Sequence, residues 1–357
     1  MRRCICSLSL LLLMAAAGLC PALAAESVVG YEVPRKAATE ARTYWTRERM
    51  KNAKPYPLTA LPGKAPALTT PIEEEPPGPP GYHRGRLPDT DSVLMSDDDF
   101  DALPYSGAFE PREAAPAADG YDYPPPHTTF YVLTSLYTTY PYKTIGKVFF
   151  SLNGNNFVCS GSSVGNKAVL TAGHCVSEGG QNRWANNWIF VPAYANGDKP
   201  YGTWSAFYFY AFKSWLANHE WGRDVGFACV SNQNGKTLAQ TVGTLGFSWN
   251  QSRKKHWNVF GYPAGSPWDG EWMVETQASL ANIETAPSPD CSGVGTSQRP
   301  GFSGGPWVLK FVPGTAGANN CANGVNSHFF TESPDQIFSP YFDSAVNDLK
   351  KQAVNKN

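Results

Sequence analysis

From about Thr128 onward, short apolar or alternating runs recur between Gly, Asn and Pro turns, and helical periodicity is almost absent. The runs are Ile145–Phe150, Phe157–Val164, Ala168–Thr171, Trp188–Val191, Trp204–Phe212, Asp224–Val230, Trp257–Phe260, Glu271–Ala278 and Trp307–Val312. Segments this short, bounded by turn residues, suit strands better than helices. About ten of them in 230 residues predict an all-β sandwich or barrel. One helix is expected at the end of the chain. Ser339 would cap it, Pro340 fits its first turn, and Phe342, Ala345, Val346 and Leu349 fall on one face.

The preceding part is different. Between Glu26 and His127, 17 acidic residues face 11 basic ones, with 17 prolines; from Thr128 to Asn357, 13 face 16, with 12 prolines. Such a split predicts an acidic, Pro-rich leader (25–127) ahead of a compact domain (128–357). Lys36 to Ala53 is helix-like. From about residue 70 the leader carries Glu73–Glu75, Pro76–Pro80, Asp97–Asp99 and Pro124–Pro126, and should be largely disordered. At the N-terminus, Arg2 and Arg3, the apolar Leu8–Ala17 and the A-x-A site Ala22-Leu23-Ala24 read as a secretory signal over residues 1–24. No other apolar run reaches the roughly 18 residues that span a bilayer. The formal net charge of −1 offers no basic field for nucleic acid. A secreted monomer acting on neither nucleic acid nor membrane is expected. Loss of the signal leaves five cysteines, an odd number: Cys159, Cys175, Cys229, Cys291 and Cys321.

Three segments carry chemistry. In Leu170-Thr171-Ala172-Gly173-His174-Cys175 a strand delivers His174 at a turn, and Cys159 lies on the preceding strand. A Cys159–Cys175 disulfide would close a hairpin over the histidine, a constraint of about 3 kcal/mol. In Arg223-Asp224-Val225-Gly226-Phe227-Ala228 an acid opens an apolar strand, and a buried carboxylate needs a partner. Asp198, Asp269 and Asp290 sit instead in Gly/Pro turns. In Pro300-Gly301-Phe302-Ser303-Gly304-Gly305-Pro306, glycines allow a tight turn around an exposed hydroxyl. Together these are the parts of an acyl-transfer site. Ser303 is the nucleophile, His174 the base and Asp224 its orienting acid, with the N–H groups of Gly301 and Ser303 as oxyanion donors. The order excludes an α/β-hydrolase, which needs Ser, then acid, then His. His219-Glu220 lacks the second histidine of H-E-x-x-H, so no metal and no cofactor are implied.

The order His, Asp, Ser and the segments LTAGHC and GFSGGP resemble the chymotrypsin-like (trypsin-fold) serine peptidases over roughly residues 140–350. Tyr142–Phe150, Phe190–Tyr194, Gly261-Tyr262-Pro263 and, in the leader, Tyr44–Met50 resemble the secreted bacterial and fungal branch that includes glutamyl endopeptidases. The resemblance implies two six-stranded antiparallel β-barrels with the triad between them. It also implies a proenzyme acting on protein or peptide substrates, with its own propeptide as a partner. Phe302 stands where animal members have the Asp that pairs with a freed N-terminus, so activation must work otherwise. Cys291 and Cys321 are expected to bridge around the nucleophile, leaving Cys229 as a buried free thiol. The pocket floor would be Ser297, with Gln298 beside it. Ser327 and His328 would line the pocket, and His328 could receive an acidic side chain. The rival reading is a catalytically inactive trypsin-fold secreted binding protein.

Overall fold

The strand-like texture becomes strands because both faces of most of them are covered. The computed structural model describes residues 26–57, 60–66, 77–89 and 125–356. The signal-like residues 1–24 and the acidic runs 73–75 and 97–99 lie outside these. The N-terminal residues supply β1 (Val28–Glu32), α1 (Arg35–Tyr44), α2 (Arg47–Asn52), β2 (Lys54–Pro55), β3 (Ala60–Leu61) and β4 (Gly81–His83), followed by β5 (His127–Tyr131). A first group comprises β6 (Ile145–Leu152), β7 (Asn155–Ser163), β8 (Ala168–Thr171), the short pair β9 (Ser177–Glu178) and β10 (Arg183–Trp184), β11 (Asn186–Pro192), β12 (Trp204–Phe212), α3 (Lys213–Asn218) and β13 (Gly226–Val230). After α4 (Leu238–Val242), a second group comprises β14 (Gly246–Trp249), β15 (His256–Gly261), β16 (Val274–Glu284), β17 (Cys291–Gly295), β18 (Pro306–Leu309), β19 (Cys321–Val325), β20 (His328–Phe330), β21 (Ser333–Pro340) and α5 (Ser344–Val354).

The first group forms a closed six-stranded antiparallel barrel, β12-β11-β6-β7-β8-β13, with β13 returning to β12. Every residue of β6 is buried, which is why its sequence is nearly continuous rather than alternating. The second group follows the order β3-β20-β21-β17-β16-β15-β18-β19-β14-β4 and does not return on itself. The second six-stranded barrel is therefore not seen in the pairing. β19 spends its outer edge on β14, in parallel, and meets β21 through a side chain: Ser339 Oγ accepts from the Val325 N–H at 3.0 Å.

That contact also corrects the last helix. Ser339 and Pro340 belong to β21, and Asp343 caps α5 instead, accepting from Val346 N–H at 3.1 Å. Val346, Leu349 and Ala353 then bury the inner face. The helix-like patch in the leader is two helices, because Thr46 stops the first and caps the second by accepting from Arg49 N–H. Beyond residue 70 the described residues of the leader are 77–89 and 125–127, and each run contributes to a strand. β4 pairs with β14, and Gly81 lies against the Trp249 ring, where a side chain would collide. Backbone hydrogen bonds to an existing edge need no apolar sequence, so composition alone does not reveal them.

Candidate active site

His174 sits in the one-turn 3₁₀ segment Gly173–Cys175 that follows β8. A disulfide joins Cys175 to Cys159 on β7, with the Cα atoms 6.3 Å apart, and ties this turn to the barrel wall. The His174 backbone N–H donates to Asp224 Oδ1 at 2.8 Å, and its Nδ1 lies 2.8 Å from Oδ2. Asp224 ends the turn Trp221–Arg223, just before β13. The preceding Arg223 forks onto Asp343 at 3.0 and 2.9 Å, so the cap of α5 also anchors the arm that holds the acid. Ser327 Oγ donates to Asp224 Oδ2 at 2.6 Å. The acid is fully buried, and these three hydrogen bonds satisfy its charge. A Cβ on Gly173 would stand 2.9 Å from Asp224 Oδ1, so this approach needs glycine.

Ser303 lies in a turn between Gly301, with φ +107°, and Gly304, with φ +75°. The turn is held by its backbone. Ser160 N–H donates to Ser303 O at 2.7 Å, and Ser160 Oγ donates to Gly301 O at 3.1 Å. Ser160 adjoins Cys159, so one strand fixes both the histidine turn and the serine turn. Asn326 braces the other side. Its carbonyl accepts from Gly304 N–H, its N–H donates to Gly305 O, and its Nδ2 donates to the carbonyls of Phe302 and Phe260. The N–H groups of Gly301 and Ser303 donate to nothing among the described residues. His174 Nε2 and Ser303 Oγ are likewise buried and without a hydrogen-bond partner.

The turn tolerates no added bulk. A Cβ on Gly304 would overlap Thr171 Oγ1 and stand 2.6 Å from Ser160 O, at a positive φ that L-residues avoid. Gly304→Ala is expected to cost about 3 kcal/mol in thermal unfolding and to displace Ser303. An unchanged melting temperature would show that the turn can give way.

The expected pocket residues divide. The Ser297 carbonyl accepts from Trp268 Nε1 at 2.7 Å. Gln298 Nε2 donates to Val259 O and Thr276 Oγ1, while its Oε1 is buried without a partner. Ser327 and His328 do not face an open pocket. Ser327 is bonded to Asp224, and His328 Nε2 lies 2.6 Å from Glu284 Oε2, with the imidazole fully buried. The protein's own carboxylate thus occupies the histidine proposed to receive a substrate's. Cys291 and Cys321 are free thiols rather than a bridge, because their sulfurs lie in different surroundings. Cys321 Sγ is bonded to Ala318 O, whereas Cys291 Sγ sits with Glu284 and His328. Cys229 is a buried free thiol that donates to Ala353 O, and burial pushes it up to about 12.

Asn326 and Tyr56 were not apparent from the sequence. Tyr56 follows β2, and its ring stacks on the His174 imidazole, 5.3 Å between centroids and 20° between planes. Burial, then the charges of Glu178 and Asp224, push its hydroxyl up to about 12, so it stays protonated.

A histidine bonded to a buried aspartate on a closed six-stranded barrel, and a serine in a glycine turn tied to that barrel through Ser160, are the features of the trypsin-fold class. The chain belongs to the chymotrypsin-like (trypsin-fold) serine peptidase family. The protease Anisep from Arthrobacter nicotinovorans is 36% identical, with a TM-score of 0.56, over 60% of this chain and 96% of that one. A thermostable serine protease, AL20, from an extremophilic microorganism is 32% identical, with a TM-score of 0.56, over 60% of this chain and 98% of that one. A glutamyl endopeptidase of Bacillus licheniformis is 28% identical over 137 residues, 37% of this chain. The curated relatives it matches are covered over 40% and 43% of their own length. No family model matches the chain.

Proposed function

We propose that this chain is an exported serine endopeptidase, made with a signal over 1–24 and a restraining propeptide over 25–127, whose domain 128–357 hydrolyses peptide bonds through an acyl-enzyme. The observation that carries this reading is the pair of reactive atoms left without partners. His174 Nε2 and Ser303 Oγ are unbonded, while Asp224, Ser160 and Asn326 around them are hydrogen-bonded. Ser303 Oγ bonds to the substrate carbonyl carbon as its proton passes to Nε2. The carbonyl oxygen becomes an anion facing the Gly301 and Ser303 N–H groups. The C–N bond then breaks, and the amine leaves with the proton from Nε2. Water attacks the ester through the same histidine, releasing the acid and restoring the serine. Asp224 holds the Nδ1–H tautomer and offsets the imidazolium charge. A preference for acidic side chains draws no support from His328.

Restraint by the leader rests on three contacts rather than on net charge. β2 pairs in parallel with β7 immediately before Cys159. Tyr56 covers His174. β3 pairs in parallel with β20, the strand that follows Ser327. The leader is thus bonded to β7, whose Cys159 is bridged to the turn of the base, and to β20, which begins next to the acid's partner. Labelling of Ser303 by a fluorophosphonate probe tests both claims. The intact chain should label slowly, and limited proteolysis of the leader should raise the rate about 100-fold, the factor for roughly 2.8 kcal/mol of closing free energy. Equal rates would show that the leader is no inhibitor. No labelling in either form would favour an inactive binding protein.

A further inference from the structure

His328 and Glu284 form a buried polar pair that the reaction above does not use. His328 stands on β20 and Glu284 on β16, and both are buried. The imidazole is locked among aromatic rings: Phe338 is stacked on it at 5.4 Å, and Trp221 lies at 4.8 Å. Trp221 opens the turn that ends in Asp224. Among the described residues each ring nitrogen has one hydrogen-bond partner: Nε2 lies 2.6 Å from Glu284 Oε2, and Nδ1 lies 3.2 Å from Ser327 Oγ.

Counting protons gives these contacts a direction. Asp224 offers only acceptors, and Ser327 has a single proton, which it gives to Asp224 Oδ2 at 2.6 Å. Ser327 Oγ can therefore only accept from His328, so Nδ1 carries a proton. A second proton must lie between Nε2 and Glu284, because two bare acceptors would repel at 2.6 Å. The imidazole and the carboxylate thus share two protons, and together carry no net charge. The Nδ1–H polarises the Ser327 hydroxyl and strengthens its bond to Asp224, as hydrogen-bonded chains do in a low-dielectric interior.

We propose that Glu284 and His328 are positioning residues for the triad acid, acting through Ser327 to hold Asp224 in the orientation that receives His174. The pair takes the place of a substrate-recognition role for His328. The chain of contacts runs Glu284, His328, Ser327, Asp224, His174, and spans four elements: β16, β20 and its approach, the turn before β13, and the turn after β8. A cation cage is the competing use of the same cluster, since Cys291 Sγ also lies within 4.8 Å of both ligand atoms. Two ligands about 2.0 Å from one tetrahedral ion stand roughly 3.3 Å apart, wider than the 2.6 Å observed. The titratable groups facing the imidazole are Glu284 on β16, Cys291 on β17 and, beyond Ser327, Asp224.

The inference rests on the serine peptidase reading, and the test separates the two. The full chain is expressed, processed and assayed on a peptide substrate, with active sites counted by fluorophosphonate. A native chain that is neither active nor labelled refutes the peptidase reading itself. With a native enzyme that is active, the variants decide. Removing only one partner would leave a buried charge and risk misfolding, so the double variant Glu284→Leu/His328→Phe replaces the pair by apolar groups, which cores tolerate. Its kcat is expected to fall about 2- to 10-fold, the factor that an ordinary hydrogen bond such as the one lost at Ser327 Oγ is worth, with KM unchanged. The low-field proton resonance of His174 Nδ1–H should shift as the Ser327 hydroxyl that braces Asp224 loses its donor, which a merely structural pair would not cause. Cys291→Ala should leave kcat unchanged. An unchanged kcat and resonance in the double variant overturns the proposal. A raised KM at constant kcat also overturns it, by returning the pair to substrate recognition. So does stoichiometric zinc that is lost in Cys291→Ala.

Discussion

Replacing Ser303 with alanine lowers peptide hydrolysis by about 10⁴-fold or more, with the fold intact. The hydroxyl bonds to nothing in the resting structure, so its removal strands no partner. The turn is held by the carbonyls of Gly301, Phe302 and Ser303 and the amide of Gly304, all of which alanine retains. Melting temperature should therefore stay close to native while fluorophosphonate labelling disappears. The remaining rate would come from the oxyanion donors and substrate binding, without a nucleophile. A variant that keeps most of its activity would sink the serine mechanism.

The second large effect is expected at Asp224. Asp224→Asn should lower kcat by about 10⁴-fold. Three groups donate to this carboxylate: the backbone N–H and Nδ1 of His174, and Ser327 Oγ. An amide has one accepting oxygen and a donating NH2; with the oxygen kept on the His174 N–H, the NH2 faces both Nδ1 and Ser327 Oγ, which share Oδ2. The cheapest adjustment moves the imidazole proton from Nδ1 to Nε2. The base then presents a proton to Ser303 instead of taking one. Asp198 provides the control: its backbone closes a turn with Ala195. Asp198→Asn should leave the rate unchanged. An equal loss there, with none at Asp224, would show that the wrong carboxylate was assigned.

The two variants differ in how far their positions could be read before the structure. The barrel strands β6, β8, β11 and β12 were legible because burial on both faces leaves continuous apolar runs bounded by turns. β17 and β19 were not. Cys291-Ser292-Gly293-Val294-Gly295 and Cys321-Ala322-Asn323-Gly324-Val325 carry small and polar residues, since rings and neighbouring backbone press on them. A Cβ on Gly293 would stand 2.7 Å from the Phe338 ring, and one on Gly324 2.6 Å from Ser339 Oγ. Close approach selects small residues and erases alternation. His174, Asp224 and Ser303 could be located because each sits in a short motif whose neighbours serve the same turn. Asn326 and Tyr56 could not, because their roles come from elements far away in sequence. His328 was assigned to a pocket because nothing local distinguishes a histidine that awaits a carboxylate from one already holding Glu284.

The pairing of Leu61 with Phe330 has a consequence in time. A chain emerging from its N-terminus carries β3 unpartnered until nearly all of its residues have been made. β2 finds Val158 far earlier. The leader is therefore fastened in steps, to β7, β12, β14 and finally β20. Ser327, which immediately precedes that strand, gives Asp224 its third hydrogen bond. The last bond of the acid and the last fastening of the leader arrive with the same stretch of chain. The bond that completes the shell of Asp224 and the pairing that holds β3 thus depend on one short stretch of chain, Ser327 to Phe330.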